Sequence, residues 1–231
     1  MSLDVLFEDN HLLFVNKPAA LPTMGVPAGQ PSLIEQVRSY LKTKYDKPGR
    51  AYVGIVSRLD ALASGVIVLA RTSKAAGRLS EQFRQGEVIK LYWALVEGRP
   101  EPSSGECLDL IRKDEARQRM YVTRQSHPSA LSARLSYRTV ARFPRASLLE
   151  IRLDTGRKHQ IRVQMAQRGH PILGDRKYGS TRSFPRGIAL HARQIAVKHP
   201  VRPETLAIKA PLPACWQQFG VRNPPSGHAG T

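Results

Sequence analysis

The stretch "VSRLDALASGVIVLARTS", residues 56–73, places one carboxylate, Asp60, two residues after Arg58 and just ahead of an apolar run. An aspartate in a turn ordinarily bonds a nearby backbone N–H. Here Leu59, Leu62 and the apolar residues 66–70 would hold it close to the core. Burial alone raises a carboxyl pKa and silences the group at neutral pH, whereas an adjacent guanidinium keeps it ionised. The chain carries 36 Lys+Arg against 18 Asp+Glu, a formal net charge of +18. Such a balance suits a polyanion, because neutralising phosphates releases counterions and drives binding. Binding a polyanion gains nothing from a negative charge in the cleft, so an ionised Asp60 would point to catalysis.

A second constellation is "DTGRKHQIR", Asp154 to Arg162. Thr155–Gly156 turns the chain, and a helix is expected to begin near residues 157–159. Cations at a helix start oppose the macrodipole, a mismatch that a bound anion relieves. Arg162 follows one turn later among Ile161, Val163 and Met165, where a guanidinium wants a carboxylate partner unless it snorkels along the helix flank. In "KLYWALVEG", residues 90–98, Tyr92 and Trp93 point to opposite faces of a strand. Either ring is an ordinary core aromatic, or, beside an ionised carboxylate, a stacking surface for a nucleobase.

These residues need a scaffold, and the hydrophobic patterning supplies one. Short strands are expected at residues 5–7 and 12–15, and Ser32 caps a helix over 33–41 in which Ile34, Val37 and Leu41 recur at helical spacing. Residues 66–70 read as a buried strand. Thr72 or Ser73 caps a second helix to about Gln85, with Ala76, Leu79 and Phe83 as its inner stripe and Gly86 as its stop. Residues 88–98 read as a strand, and loops follow around Ser103–Ser104 and at "RQSHPSA". Further strands are expected near residues 120–123, 133–140 and 147–153. A third helix ends at Gly169, and "IALHARQIAVKHP" with "ETLAIKAPLP" forms a closing hairpin. Adjacent runs of strands with about three helices favour an α+β fold, one domain with a central, mostly antiparallel mixed sheet. That domain is expected over residues 1–220, with 221–231 as a flexible tail.

Other function classes lack their signatures. There is no GxGxxG after the first strand and no GxxxxGK[ST], which disfavours a Rossmann or P-loop enzyme or a methyltransferase. The seven His show no HExxH, Cys107 and Cys215 are isolated, and no carboxylate cluster suggests a nuclease. No metal and no disulfide framework are therefore expected, and the compartment should be reducing. No stretch approaches the ~20 apolar residues of a membrane span, and the start shows no secretory signal.

The segments "NKPAAL", "SRLDALASGVIVLA", "KLYWALVEG", "LDTGRKHQIRVQMAQRGHPILGDRKYG" and "LHARQIAVKHPVRPETLAIKAPLP" together resemble the successive motifs of the RluA-type pseudouridine synthases, from about Val5 to Pro213. The resemblance implies isomerisation of uridine to pseudouridine in structured RNA, ribosomal or transfer, without metal or organic cofactor. It implies the pseudouridine synthase fold and RNA as the partner; the protein is expected to be cytoplasmic and a monomer. Carried over by motif, Asp60 is the nucleophile or the base that removes a ribose proton. Arg162 is its counter-ion, and Tyr92 stacks on the flipped uracil and helps remove the C5 proton. Arg58 would fill the space the base leaves, and Arg157, Lys158, His159 and Gln160 would contact RNA. The family commonly has His at Ser57, Thr at Ala63, and Thr or Ser at Lys158, departures that bear on target preference. The first motif begins almost at residue 1, so the N-terminal S4 module of many relatives is expected to be absent. The rival reading is a catalytically silent RNA-binding protein on the same fold.

Overall fold

A computed structural model describes residues 3–27, 29–46, 49, 51–125 and 127–223. Eleven strands form one sheet: β1 (Val5–Glu8), β2 (Leu12–Lys17), β3 (Gly54–Ile55), β4 (Ser64–Ala70), β5 (Ile89–Glu97), β6 (Ser104–Asp114), β7 (Arg119–Thr123), β8 (Leu131–Phe143), β9 (Ala146–Leu153), β10 (Leu190–Lys198) and β11 (Thr205–Lys209). The spatial order is β1-β2-β4-β10-β5-β9-β8-β6-β7, with β3 on β4 and β11 on β10. The pairing is antiparallel throughout except between β4 and β10. The architecture is the expected α+β one.

Among the described residues three α-helices accompany the sheet: α1 (Leu33–Lys44), α2 (Ser73–Gln85) and α3 (Gln160–Gln167). Ser32 and Thr72 cap the first two through their hydroxyls, which accept from Glu35 N and Ala75 N. Gly86 ends α2 at φ 73°, a left-handed geometry that glycine adopts without a Cβ penalty. The inner stripe of α2 is rotated from the expected one. Ala75, Leu79 and Gln82 are buried, while Ala76 and Phe83 are only partly so. Gln82 is drawn in because its amide bonds both Lys198 O and Lys198 N.

Two expectations fail in ways that matter for the site. The loop expected around Ser103–Ser104 gives way at Ser104 to the long strand β6, residues 104–114, where no strand was expected. α3 starts at Gln160, later than expected, because His159 takes the left-handed conformation, φ 54°, and ends a loop. Arg157 and Lys158 therefore lie in the preceding turn, outside the helix. The tail expected over 221–231 falls largely outside the described residues.

Every residue of β4 is buried, and its apolar side chains share one core with β2, α1 and α2. The β4–β10 pairing brings Gly65 against Ala192, where any Cβ would overlap the Ala192 backbone. Only glycine allows that approach, and it anchors the chain five residues after Asp60. A smaller core of Ile111, Met120, Ala133 and Val163 packs the β6–β7–β8 end of the sheet against α3. α3 is thereby wedged so that residues 160–165 are all buried. No helix among the described residues is long and apolar enough to cross a membrane.

Candidate active site

The loop ahead of β4 delivers Asp60, α3 delivers Arg162, and the two meet. Arg162 Nη1 donates to Asp60 Oδ2 at 2.6 Å across 102 positions of sequence. The rest of the guanidinium faces a second acid, Asp175, with Nε to Oδ2 at 2.6 Å and Nη2 to Oδ1 at 2.7 Å. Arg162 and Asp175 side chains are 2% and 1% exposed, whereas Asp60 keeps 15%. One planar fork is thus locked by a buried carboxylate and offers its remaining edge to one that faces solvent. Bidentate pairing of this kind fixes orientation as well as charge.

The electrostatics follow. Burial pushes the Asp60 carboxyl up, but the Arg162 charge, the neighbouring His159, the Arg162 hydrogen bond and that from Leu62 N at 3.1 Å together outweigh it. The result lies below the ordinary 3.8, so Asp60 is a carboxylate at neutral pH. Burial and the Arg162 charge pull His159 down to about 4. This imidazole has Nε2 3.4 Å from Asp60 Oδ2 and Nδ1 2.8 Å from Tyr178 Oη. Tyr178 Oη also accepts from Met120 N, and because a carboxylate can only accept, a proton on Nε2 is the tautomer that suits Asp60, with Nδ1 then accepting from the Tyr178 hydroxyl. The Arg162 guanidinium also lies over the Tyr178 ring, 4.9 Å from its centroid. His159 should therefore stay neutral down to about pH 4, below the ordinary 6.5. Its ring resonances, assigned by loss in His159→Gln and followed by NMR, are expected to titrate near 4; a midpoint at 6.5 would contradict the contacts described.

A cavity of about 480 Å³ opens over these groups, lined among others by Asp60, Tyr92, Leu153, Gly156, Arg162 and Leu190. Tyr92 is half-buried and faces it, while Trp93 turns to the other side of β5 and donates to Glu150. Burial pushes the Tyr92 phenol up to about 12, which works against a phenolate. Arg58, Arg157 and Lys158 are exposed at the cavity wall. Gln160 has a different task from the expected RNA contact. Its Oε1 accepts from Thr155 Oγ1 and Arg157 N, and its Nε2 donates to Arg134 O. The amide is spent on shaping the turn. His159 likewise addresses Asp60 and Tyr178.

Three residues were not singled out from sequence. Asp175 and Tyr178 sit in "GDRKYG", where the composition reads only as a turn. Lys17, in "NKPAAL", is fully buried, and its ammonium reaches four carbonyls: Pro18 at 2.9 Å, Leu21 at 2.8 Å, Ala61 at 3.3 Å and Ala63 at 2.7 Å. Burial pulls it down to about 7 against the attraction of Asp60. It ties the 18–21 loop to the loop that carries Asp60. Lys17→Met would strand those carbonyls without a donor, so a loss of about 3 kcal/mol is expected in denaturant unfolding. An unchanged midpoint would show that the cage carries no load. Among the described residues no cluster of His, Cys, Asp or Glu has the make-up of a metal site.

Comparison with known proteins identifies the family. The family model for RNA pseudouridylate synthase matches residues 11–167, more than half of the chain. The dual-specificity RNA pseudouridine synthase RluA of Pasteurella multocida is 36% identical over 213 residues, covering 90% of this chain and 93% of that one. The ribosomal large subunit pseudouridine synthase D of Xylella fastidiosa is 37% identical over 231 residues, covering 91% of this chain and 66% of that protein. Among solved structures, human RNA pseudouridylate synthase domain containing 4 superposes with a TM-score of 0.79 at 26% identity, covering 95% of both chains. The chain belongs to the RNA pseudouridine synthases, the enzymes that isomerise uridine to pseudouridine in RNA.

Proposed function

We propose that this enzyme modifies particular uridines of structured ribosomal or transfer RNA, with Asp60 as the reacting group. The observation that carries the reading is the Asp175–Arg162–Asp60 chain beneath an open cavity whose wall carries Arg58, Arg157 and Lys158. Of the relatives' names, one is directed to the large ribosomal subunit, which supports ribosomal RNA as a substrate class, and the other states a dual specificity for RNA.

The chemistry is an isomerisation. The bond from uracil N1 to ribose C1′ breaks, a bond from C5 to C1′ forms, and the C5 proton is exchanged for one on N1. Electrons balance within the substrate, so the reaction itself asks for no external redox partner. Asp60, ionised and partly exposed, serves either as nucleophile at C1′ or as the base that takes a ribose proton. Arg162 keeps it ionised and oriented, and is itself locked by Asp175. Tyr92 offers its face to the uracil that must leave the base stack to reach the cavity. Its high pKa favours stacking over the C5 proton transfer also considered for it. Arg58 is free to occupy the vacated position in the RNA, and Arg157 and Lys158 meet phosphates.

The test is a map of pseudouridines in RNA from cells lacking the gene against their parent. Loss of one or a few sites in ribosomal or transfer RNA, restored by the wild-type gene, is expected. Identical maps would overturn the assignment.

A further inference from the structure

Lys90 stands outside everything assigned so far. It precedes Tyr92 by two residues on β5, so both side chains leave the same face of the strand. The β5–β9 register, Leu91 to Arg152, puts Lys90 opposite Leu153, a cavity-lining residue. Its ammonium lies against Gly156, 3.8 Å from where a Cβ on that glycine would stand. Lys90 therefore reaches the cavity's edge beneath the turn that carries Arg157 and Lys158.

The position is costly for a cation. Lys90 is half-buried, and burial, with Arg157 adding repulsion, pulls its pKa below the ordinary lysine value against the attraction of Asp154. Asp154 is 3.4 Å from Arg134 Nε, and no ion pair or hydrogen bond joins Lys90 to another described residue. Arg157 is pinned next to it by a bond from Nε to Ser132 O at 3.0 Å. A purely structural lysine would extend its head into water along the strand. Two neighbouring cations, one partly desolvated and neither satisfied by a carboxylate, form a site that an anion would complete.

We propose that Lys90 and Arg157 together bind a backbone phosphodiester next to the target uridine, so that the base beside it enters the cavity over Tyr92. The anchor would fix how far the strand advances along the floor formed by Tyr92, Leu153 and Leu190. This rests on the function proposed above, since an RNA strand must cross that cavity.

The test uses the full chain and single-stranded oligouridylate as the probe, with affinity measured across a salt series. Lys90→Met and Lys90→Gln are expected to weaken binding about five-fold at ~0.1 M salt. They should also flatten the plot of log affinity against log salt by ~0.7, the share of one phosphate on a single strand. Lys90→Arg should keep the wild-type slope. Circular dichroism identifies which variants fold, and an unchanged slope in either folded neutral variant would overturn the proposal. The salt slope separates a lost phosphate contact from a merely disturbed strand, which would move affinity and leave the slope alone. Should the pseudouridine maps fail while Lys90 still governs the slope, the proposed substrate reading falls and the anion site stands. Normal maps with an unchanged slope would sink the Lys90 site alone.

Discussion

Asp60→Asn is expected to lower pseudouridine formation by more than about a thousand-fold while the protein stays folded and binds RNA at least as well as wild type. The fold should tolerate the change because Arg162 keeps its two bonds to Asp175, leaving no buried guanidinium unpaired. Asn is nearly isosteric and its amide oxygen can still accept from Arg162 Nη1. Affinity should hold or rise because a negative charge facing phosphates has been removed. Product yield and gel-shift affinity on the same RNA check both halves. Appreciable turnover would remove Asp60 from the chemistry and revive the rival reading, a binding protein that makes no use of its carboxylate.

Arg162→Met should be more damaging, through two separable effects. Activity is lost because Asp60 loses the charge that offsets its burial. Stability falls as well, by about 3–5 kcal/mol, because Asp175 is left buried with no counter-ion. Neutralising that second acid removes the penalty without restoring the first partner. The double variant Arg162→Met/Asp175→Asn is therefore expected to regain much of the stability in chemical denaturation and none of the activity. Equal instability of the single and double variants would mean that Asp175 does not depend on Arg162.

How far the sequence disclosed this site is itself a physical matter. Asp60 and Arg162 were legible because each is a charge set among apolar neighbours, a local conflict that needs a partner from elsewhere. Tyr92 was legible from strand alternation and motif. Asp175 was not, because Gly-Asp in a short polar segment is the composition of any turn, and only the fold brings it 2.6 Å from Arg162. Lys17 was hidden for a similar reason: Asn-Lys-Pro reads as the start of a loop, and the four carbonyls it meets come from two separate loops. Strand β6 escaped notice because its inward residues are few. Cys107 and Ile111 are fully buried, but Leu108 between them is 69% exposed, which blurs the alternation. The misplaced start of α3 comes from His159, whose left-handed backbone no helix-start signal announces.

The physical state of one side chain decides the account, and it can be watched directly. With the aspartate carboxyl carbons labelled with ¹³C, the resonance missing from Asp60→Asn is followed through an acid titration. The wild-type midpoint should fall below 3.8, and in Arg162→Met/Asp175→Asn it should climb above that value as burial prevails. A wild-type Asp60 that takes up its proton above 3.8 would contradict the claim that the guanidinium holds it ready for reaction.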